Sequence, residues 1–181
     1  MSALVTRRAG DGGGRVRRSL LAVVGAVAGV ALLSGCGAEI LPLAAVHRDS
    51  DGHLKALLRP CGDDRIYGLG LRATPTDEEA ADADPERNFS GWEAHGQRTL
   101  TDADFPLFSP PAAWRSRPVG AQELTEEYTY TLGFGKDGEP YYSGLVKFRA
   151  ADIERLRPGR VWADDRAMTL GEFEELAEDS C

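Results

Sequence analysis

Beyond residue 43 the apolar side chains recur at every second position in short runs, a period that fits extended strands with one buried face. Tyr128, Tyr130, Leu132 and Phe134 alternate with Thr129 and Thr131, and Tyr142, Val146 and Phe148 repeat the rhythm after Gly135-Lys136-Asp137-Gly138. That is the pattern of a hairpin. Upstream, LAAVHRDSDGHLKALLRPC over 43–61 holds two strand-like runs around Ser50-Asp51-Gly52. Placing Leu54, Ala56 and Leu58 on the face of Ala44 and Val46 leaves a three-residue loop ending in Gly52, where positive φ is required. A two-residue Asp51-Gly52 turn would instead set Ala56 opposite His47 and is disfavoured. Residues 65–74 (RIYGLGLRAT) predict a third strand with Tyr67, Leu69 and Leu71 on one face, and 91–96 (GWEAHG) a short one with Trp92 inward.

The segments between these runs are of two kinds. Residues 75–88 (PTDEEAADADPERN) are acidic and almost without large apolar side chains, which predicts a mobile surface loop. Residues 101–120 carry Pro106, Pro110, Pro111 and Pro118, which argue against a regular ladder, while Phe105, Phe108 and Trp114 can clip the segment to the body. Pro158-Gly159 suits the centre of a type II turn, and residues 160–163 (RVWA) a last short strand. At the end, Thr169 as N-cap with Glu172 forms a capping box, and Leu170, Phe173, Leu176 and Ala177 form one apolar stripe. The expected fold is therefore mainly β: an antiparallel β-sandwich, with an immunoglobulin-like arrangement among those the spacing allows, and one C-terminal α-helix.

The N-terminal segment has a different character. Arg7, Arg8, Arg15, Arg17 and Arg18 precede an apolar and small-residue run over 20–33, the order of a secretory signal. Fourteen residues fall short of the roughly 20 that a transmembrane helix needs. The run ends in Leu33-Ser34-Gly35-Cys36, which reads as a lipobox: small residues leave the backbone open to a peptidase, and the thiol is nucleophilic enough to take a diacylglyceryl group. Two acyl chains meet the requirement for stable anchoring. This divides the chain into a signal peptide over 1–35, a short membrane tether over 36–42 and a single β-rich extracytoplasmic domain over 43–181. The expected address is the outer face of the cytoplasmic membrane. Arg17-Arg18 leaves both the general secretory and the twin-arginine route open.

With Cys36 lipidated, Cys61 and Cys181 remain as an even pair in an oxidising compartment. Their pairing would close a loop of 120 residues; the alternative is a free Cys181 that pairs between molecules. Without residues 1–35 the chain would hold 146 residues with 16 basic and 28 acidic side chains, net −12. Such a length fits one domain, and such a charge disfavours nucleic acid as a partner.

Several constellations invite a test for chemistry. In the register above, Asp49 lies across from His53 with His47 nearby, the best candidate for a metal site, although metal sites need three or four convergent ligands. Asp82, Asp84, Glu86, Asn88, Ser90 and Glu93 follow the spacing of a calcium loop, but Arg87 stands where the turn needs glycine and Pro85 intrudes. Glu93 and His95 form a potential acid and base pair with no assigned nucleophile, and neither G-x-S-x-G nor H-E-x-x-H occurs. Trp92, Tyr128, Tyr130, Tyr142 and Phe148 fit a core, whereas Tyr67, Trp114 and Trp162 would line a binding surface if exposed together. No residue set qualifies as catalytic, and no cofactor is implied.

The lipobox, together with Leu58-Arg59-Pro60-Cys61, Tyr142-Ser143-Gly144-Leu145-Val146 and Leu156-Arg157-Pro158-Gly159-Arg160-Val161-Trp162, resembles uncharacterised actinobacterial lipoproteins. The resemblance implies location and supplies no activity. The expected function is that of a membrane-anchored module that binds a ligand or an envelope protein. The rival is a small extracytoplasmic hydrolase or metal-binding protein using His47, Asp49, His53 or His95.

Overall fold

A computed structural model describes residues 38–62, 65–85, 87–136 and 142–181, all within one unit, Ala38–Cys181. Cys36, the segment over 1–35, Glu86 and the turn residues Asp137 and Gly138 lie outside the described residues. Among those described, seven strands form one sheet. They are β1 (Glu39–Leu41), β4 (Arg65–Pro75), β5 (Ser90–Ala94), β6 (Arg98–Thr99), β8 (Ser116–Gly120), β9 (Tyr128–Lys136) and β10 (Tyr142–Arg149). They run in the order β1-β10-β9-β4-β5-β8, with β6 also on β4. A second sheet, in the order β12-β11-β2-β3-β7, is built from β2 (Ala44–Arg48), β3 (Leu54–Leu58), β7 (Ala103–Pro106), β11 (Arg160–Ala163) and β12 (Arg166–Thr169). All pairings are antiparallel except β1 with β10.

This is the mainly antiparallel sandwich with a C-terminal helix that the alternation predicts. Its strand order is its own rather than the four-and-three arrangement of an immunoglobulin domain. Between the sheets, Trp92, Leu71, Leu132 and Val146 of the first face Val46, Ala56 and Phe105 of the second, all buried. Trp92 and Phe105 meet edge to face at 5.9 Å, and the Trp92 indole N–H donates to the Leu107 carbonyl at 2.8 Å.

The β2–β3 hairpin takes the expected register, with Val46 opposite Ala56 and Arg48 opposite Leu54. Gly52 closes the loop at φ +83°, a backbone only glycine adopts freely. The second sheet is buried on both faces, because Ala45, Leu57 and Val161 point away from the first sheet yet are buried. The C-terminal helix packs over the β11 and β12 end of the sheet. Counting α1 as Glu78–Ala83 and α2 as Ala150–Glu154, it is α3 (Leu170–Asp179), and it docks on β11 and β12 through Phe173 and Ala177. Leu170, expected in its apolar stripe, is instead 46% exposed. The capping box forms as predicted: Thr169 Oγ1 accepts from the Glu172 N–H, and Glu172 accepts from the Thr169 N–H at 2.6 Å. Arg59 grips the helix through two bonds to Glu174, at 2.7 and 2.8 Å. The Cys61–Cys181 disulfide, with Cα atoms 5.4 Å apart, fastens its end.

Several expectations need correction. Glu39–Leu41, read as tether, is a strand of the first sheet, so the folded part starts ahead of residue 43. Residues 78–83 form a short exposed helix rather than a loop, capped by Asp77, which accepts from the Ala80 N–H at 2.9 Å. The proline-rich segment does enter ladders, as β7 and β8. Both are edge strands, where a missing N–H faces no partner. β9 and β10 pair as far as Lys136 with Tyr142, so Gly135 and Lys136 belong to a strand and not to the turn. Pro158-Gly159 does form its turn, with Arg160 N–H donating to the Arg157 carbonyl and Gly159 at φ +78°. Beyond it, β11 continues into an unexpected hairpin, because Asp164 and Asp165 take the two positive-φ positions of a tight turn into β12.

Two predictions follow from the way α3 is held. Replacing Cys61 and Cys181 by Ala frees a loop of 120 residues, and should lower the unfolding free energy by about 2–5 kcal/mol in urea titrations. The Glu172 carboxyl is held below its ordinary value, first by the Thr169 backbone N–H. Its charge therefore stabilises the fold above the usual glutamate range, and that contribution is lost as pH falls through the lowered folded value. Glu172→Gln should be less stable than the parent at neutral pH, and the difference should close below about pH 4.5. A gap that stays constant across that window would exclude a charge effect.

Candidate functional site

The outward face of the first sheet would ordinarily carry a lawn of polar side chains. Here its centre is built from residues without side chains. Gly70 of β4 pairs with Gly133 of β9, and Gly135 of β9 pairs with Tyr67 of β4 on one side and Ser143 of β10 on the other. The result is a trough of about 430 Å³ with a glycine floor, bordered by Tyr67, Arg72, Glu93, His95, Thr131, Ser143 and Leu145.

A bulge in β4 creates it. Ile66 and Tyr67 pair with Lys136 and Gly135, but Gly70 pairs with Gly133, so Gly68 and Leu69 together oppose one residue of β9. Gly68 has φ +61°, the left-handed conformation of a glycine bulge. The extra residue switches the alternation. Ile66 points inward before it, and Leu69, Leu71 and Ala73 point inward after it. Tyr67, expected to share a face with Leu69 and Leu71, is turned outward instead. Its ring then lies across Gly135, where a Cβ would come within 2.9 Å of Cζ.

The rim is polar and nearly balanced in charge. Glu93 Oε1 accepts from Asn88 Nδ2 at 3.4 Å, and that Asn88 amide also donates to the Leu71 carbonyl at 3.1 Å. Asn88 Oδ1 accepts from the N–H groups of Ala73 and Ser90, so the side chain is committed to the sheet edge. That use, the helical position of Asp82 and the burial of Ser90 remove the calcium-loop reading.

Glu93 and His95, expected on one strand face, both border the trough, although β5 ends at Ala94, before His95. The nearest serine on the lining, Ser143, is three strands away, about 14 Å at roughly 4.8 Å per strand. That separation is too wide for Ser143 to meet His95 directly in the geometry of a hydrolytic triad.

The predicted metal candidates separate. Asp49, Asp51 and His53 bring ligand atoms within 4.8 Å of one another, and Asp49 lies 3.6 Å from His53 Nδ1. His47 is not in that group; its Nδ1 lies 3.2 Å from the Arg48 carbonyl, and its Nε2 is shielded without a partner. Asp49 Oδ1 already accepts from the Asp51 and His53 N–H groups at 3.0 and 2.9 Å. The His53 N–H, first among the causes, holds the Asp49 carboxyl below its ordinary range. The cluster thus has a structural duty in closing the loop.

Tyr67, Trp114 and Trp162 do not form one surface. Trp114 packs edge to face on Phe105 at 4.8 Å, and Trp162 donates to the Lys147 carbonyl at 2.9 Å. Only Tyr67 reaches the trough. No protein family, curated protein or solved structure matches the chain. Its chemistry therefore has to be read from its own surface, where the trough is lined by a guanidinium at Arg72, a carboxylate at Glu93, hydroxyls at Thr131 and Ser143, an aromatic wall at Tyr67 and a peptide floor in which Gly133 is half-buried and Gly70 and Gly135 are buried.

Because Asp49 serves the loop, added zinc or calcium should leave the thermal midpoint unchanged. Asp49→Ala should lower it equally with and without metal. A midpoint that rises with metal in the parent and not in the variant would restore the metal reading.

Proposed function

We propose that this chain is a membrane-anchored extracytoplasmic binding module that takes an uncharged, hydroxyl-rich ligand, of the saccharide class, in the glycine-floored trough. The signal-like segment over 1–35 and the lipobox cysteine Cys36 support export and a diacylglyceryl anchor. Among the described residues no helix is long and apolar enough to cross a membrane.

The observation that carries the binding reading is the pairing of Gly70 with Gly133 at the centre of a sheet whose neighbours bear side chains. A flat ring can lie over the half-buried Gly133 there, with Tyr67 beside it. Arg72 and Glu93 offset one another in charge, which suits a neutral ligand. The expected net charge of −12 disfavours a polyanion.

A hydrolase has less support, since Ser143 stands three strands from Glu93 and His95. The reading also leaves room for an envelope protein that presents a glycan on its surface.

The test combines one blocking variant with two ligands. Thr131→Trp fills the trough from a strand position that favours aromatic residues. In chemical-shift titrations, neutral oligosaccharides should perturb Gly70 and Gly133 in the parent and not in the variant, and sulfated oligosaccharides in neither. Binding that survives Thr131→Trp, or no binding of any neutral glycan, would overturn the assignment. For the anchor, intact mass should give a chain starting at Cys36 with two or three acyl groups, and Cys36→Ser should release the protein from the membrane.

A further inference from the structure

We infer that the β1 edge of the first sheet lies against the lipid surface, so that the trough opens sideways at headgroup height. The inference rests on the anchor proposed above and adds an orientation to it. The first strand begins at Glu39, three residues beyond the lipobox cysteine. From Cys36 to Ile40 is four residue steps, at most about 14 Å of extended chain. The headgroup layer on one side of a bilayer is itself about 5–8 Å deep. A lipid on Cys36 therefore leaves β1 almost no freedom to stand away from the membrane.

The side chains on that edge fit the constraint. Parallel pairing sets Ile40 beside Ser143, on the outward face, and Ile40 is 67% exposed, the most exposed large apolar side chain among the described residues. β1 covers β10 only from Tyr142 to Gly144. Beyond that, β10 shows Leu145, half-buried, and then Lys147 and Arg149, both exposed, on the same face. An isoleucine and a leucine followed by two basic residues match an interface where apolar side chains enter the headgroup boundary and cations meet phosphates. Asp164 and Asp165 border the dent beside Ile40 and Lys147, so this edge has no large net attraction for anionic lipid. The covalent lipid supplies the affinity, and the edge sets the orientation. Since Ser143 pairs with Ile40, Leu145 borders the dent at this edge, and both line the trough, a ligand in the trough meets the protein within two or three strand widths of the bilayer.

The experiment uses the full acylated protein, purified from membranes and reconstituted into phosphatidylethanolamine and phosphatidylglycerol vesicles with a nitroxide on the headgroup of some lipids. Cys36 would be blocked as a thioether and Cys61 is bonded to Cys181, so Ile40→Cys or Val119→Cys adds one labelling site for an environment-sensitive fluorophore. Val119 lies on the same face in β8, five strands from β1 and about 24 Å away. Quenching several-fold stronger at position 40 than at 119, with a blue-shifted emission at 40, is the expected result. Equal quenching, or stronger quenching at 119, in a protein whose mass confirms the acyl groups would overturn the orientation and leave the anchor standing. An unacylated Cys36, which would itself take the fluorophore, would overturn both.

Discussion

The bulge at Gly68-Leu69 decides which way the central strand of the larger sheet faces. β4 is the longest strand described, and it is paired on both sides by β9 and β5. Without the extra residue, Ile66 and Leu71 would fall on opposite faces, and one end of the strand would expose its apolar residues. With it, Ile66, Leu69, Leu71 and Ala73 all enter the core, and Tyr67 is the residue displaced outward. One left-handed glycine thus completes the core and raises the wall of the trough at once.

The second sheet depends on the first for one face and, over β11 and β12, on α3. A helix of 10 residues is shorter than the roughly 12–15 needed for even marginal stability in isolation, so α3 owes its stability to its surroundings. Its capping box satisfies the N-terminal donors, Phe173 and Ala177 supply the packing, and Arg59 and Cys61 hold it from the end of β3. The Arg59 guanidinium is raised further above its already high range, first by its bonds to Glu174. It remains charged at every pH of interest. Were α3 to detach, Val161 of β11 and Met168 of β12 would lose cover, which ties the helix into the cooperative unit.

Parts of this architecture are legible in the sequence because two constraints agree. The β2–β3 register satisfies both the apolar alternation and the positive φ of Gly52, and the capping box coincides with the start of an apolar stripe. Other parts are masked by local chemistry that contradicts the tertiary outcome. Pro106 and Pro118 suggest no ladder, yet an edge strand tolerates them. Asp164-Asp165 is a poor advertisement for a turn with two positive φ values, so β12 goes unseen. In Tyr67-Gly68-Leu69-Gly70-Leu71 the alternation looks unbroken, and only pairing with β9 reveals the extra residue. The trough had a signal that strand reasoning overlooks, since Gly-x-Gly occurs at 68–70 and again at 133–135 in strands that turn out to be neighbours. The His47 proposal failed at the strand end: β2 stops at Arg48, and Asp49 turns into the loop.

The glycines of the floor are not free choices. A Cβ at Gly70 would sit 2.9 Å from the Trp92 carbonyl oxygen, and one at Gly133 would sit 2.9 Å from that of Gly144. Both oxygens belong to neighbouring strands, so a side chain at either position would force the backbones apart. Inside the sandwich the same device recurs in reverse, with the Phe134 ring lying against Gly144. Glycine within a strand costs roughly 0.5–1 kcal/mol relative to alanine, and here that cost accompanies a closer approach of strands than side chains permit. The depression therefore belongs to the sheet and not to a loop. Its floor cannot shift without moving Trp92 and Leu132 in the core. A ligand that settles there meets a recess already in place, and the only ordering left to the protein is that of the rim side chains.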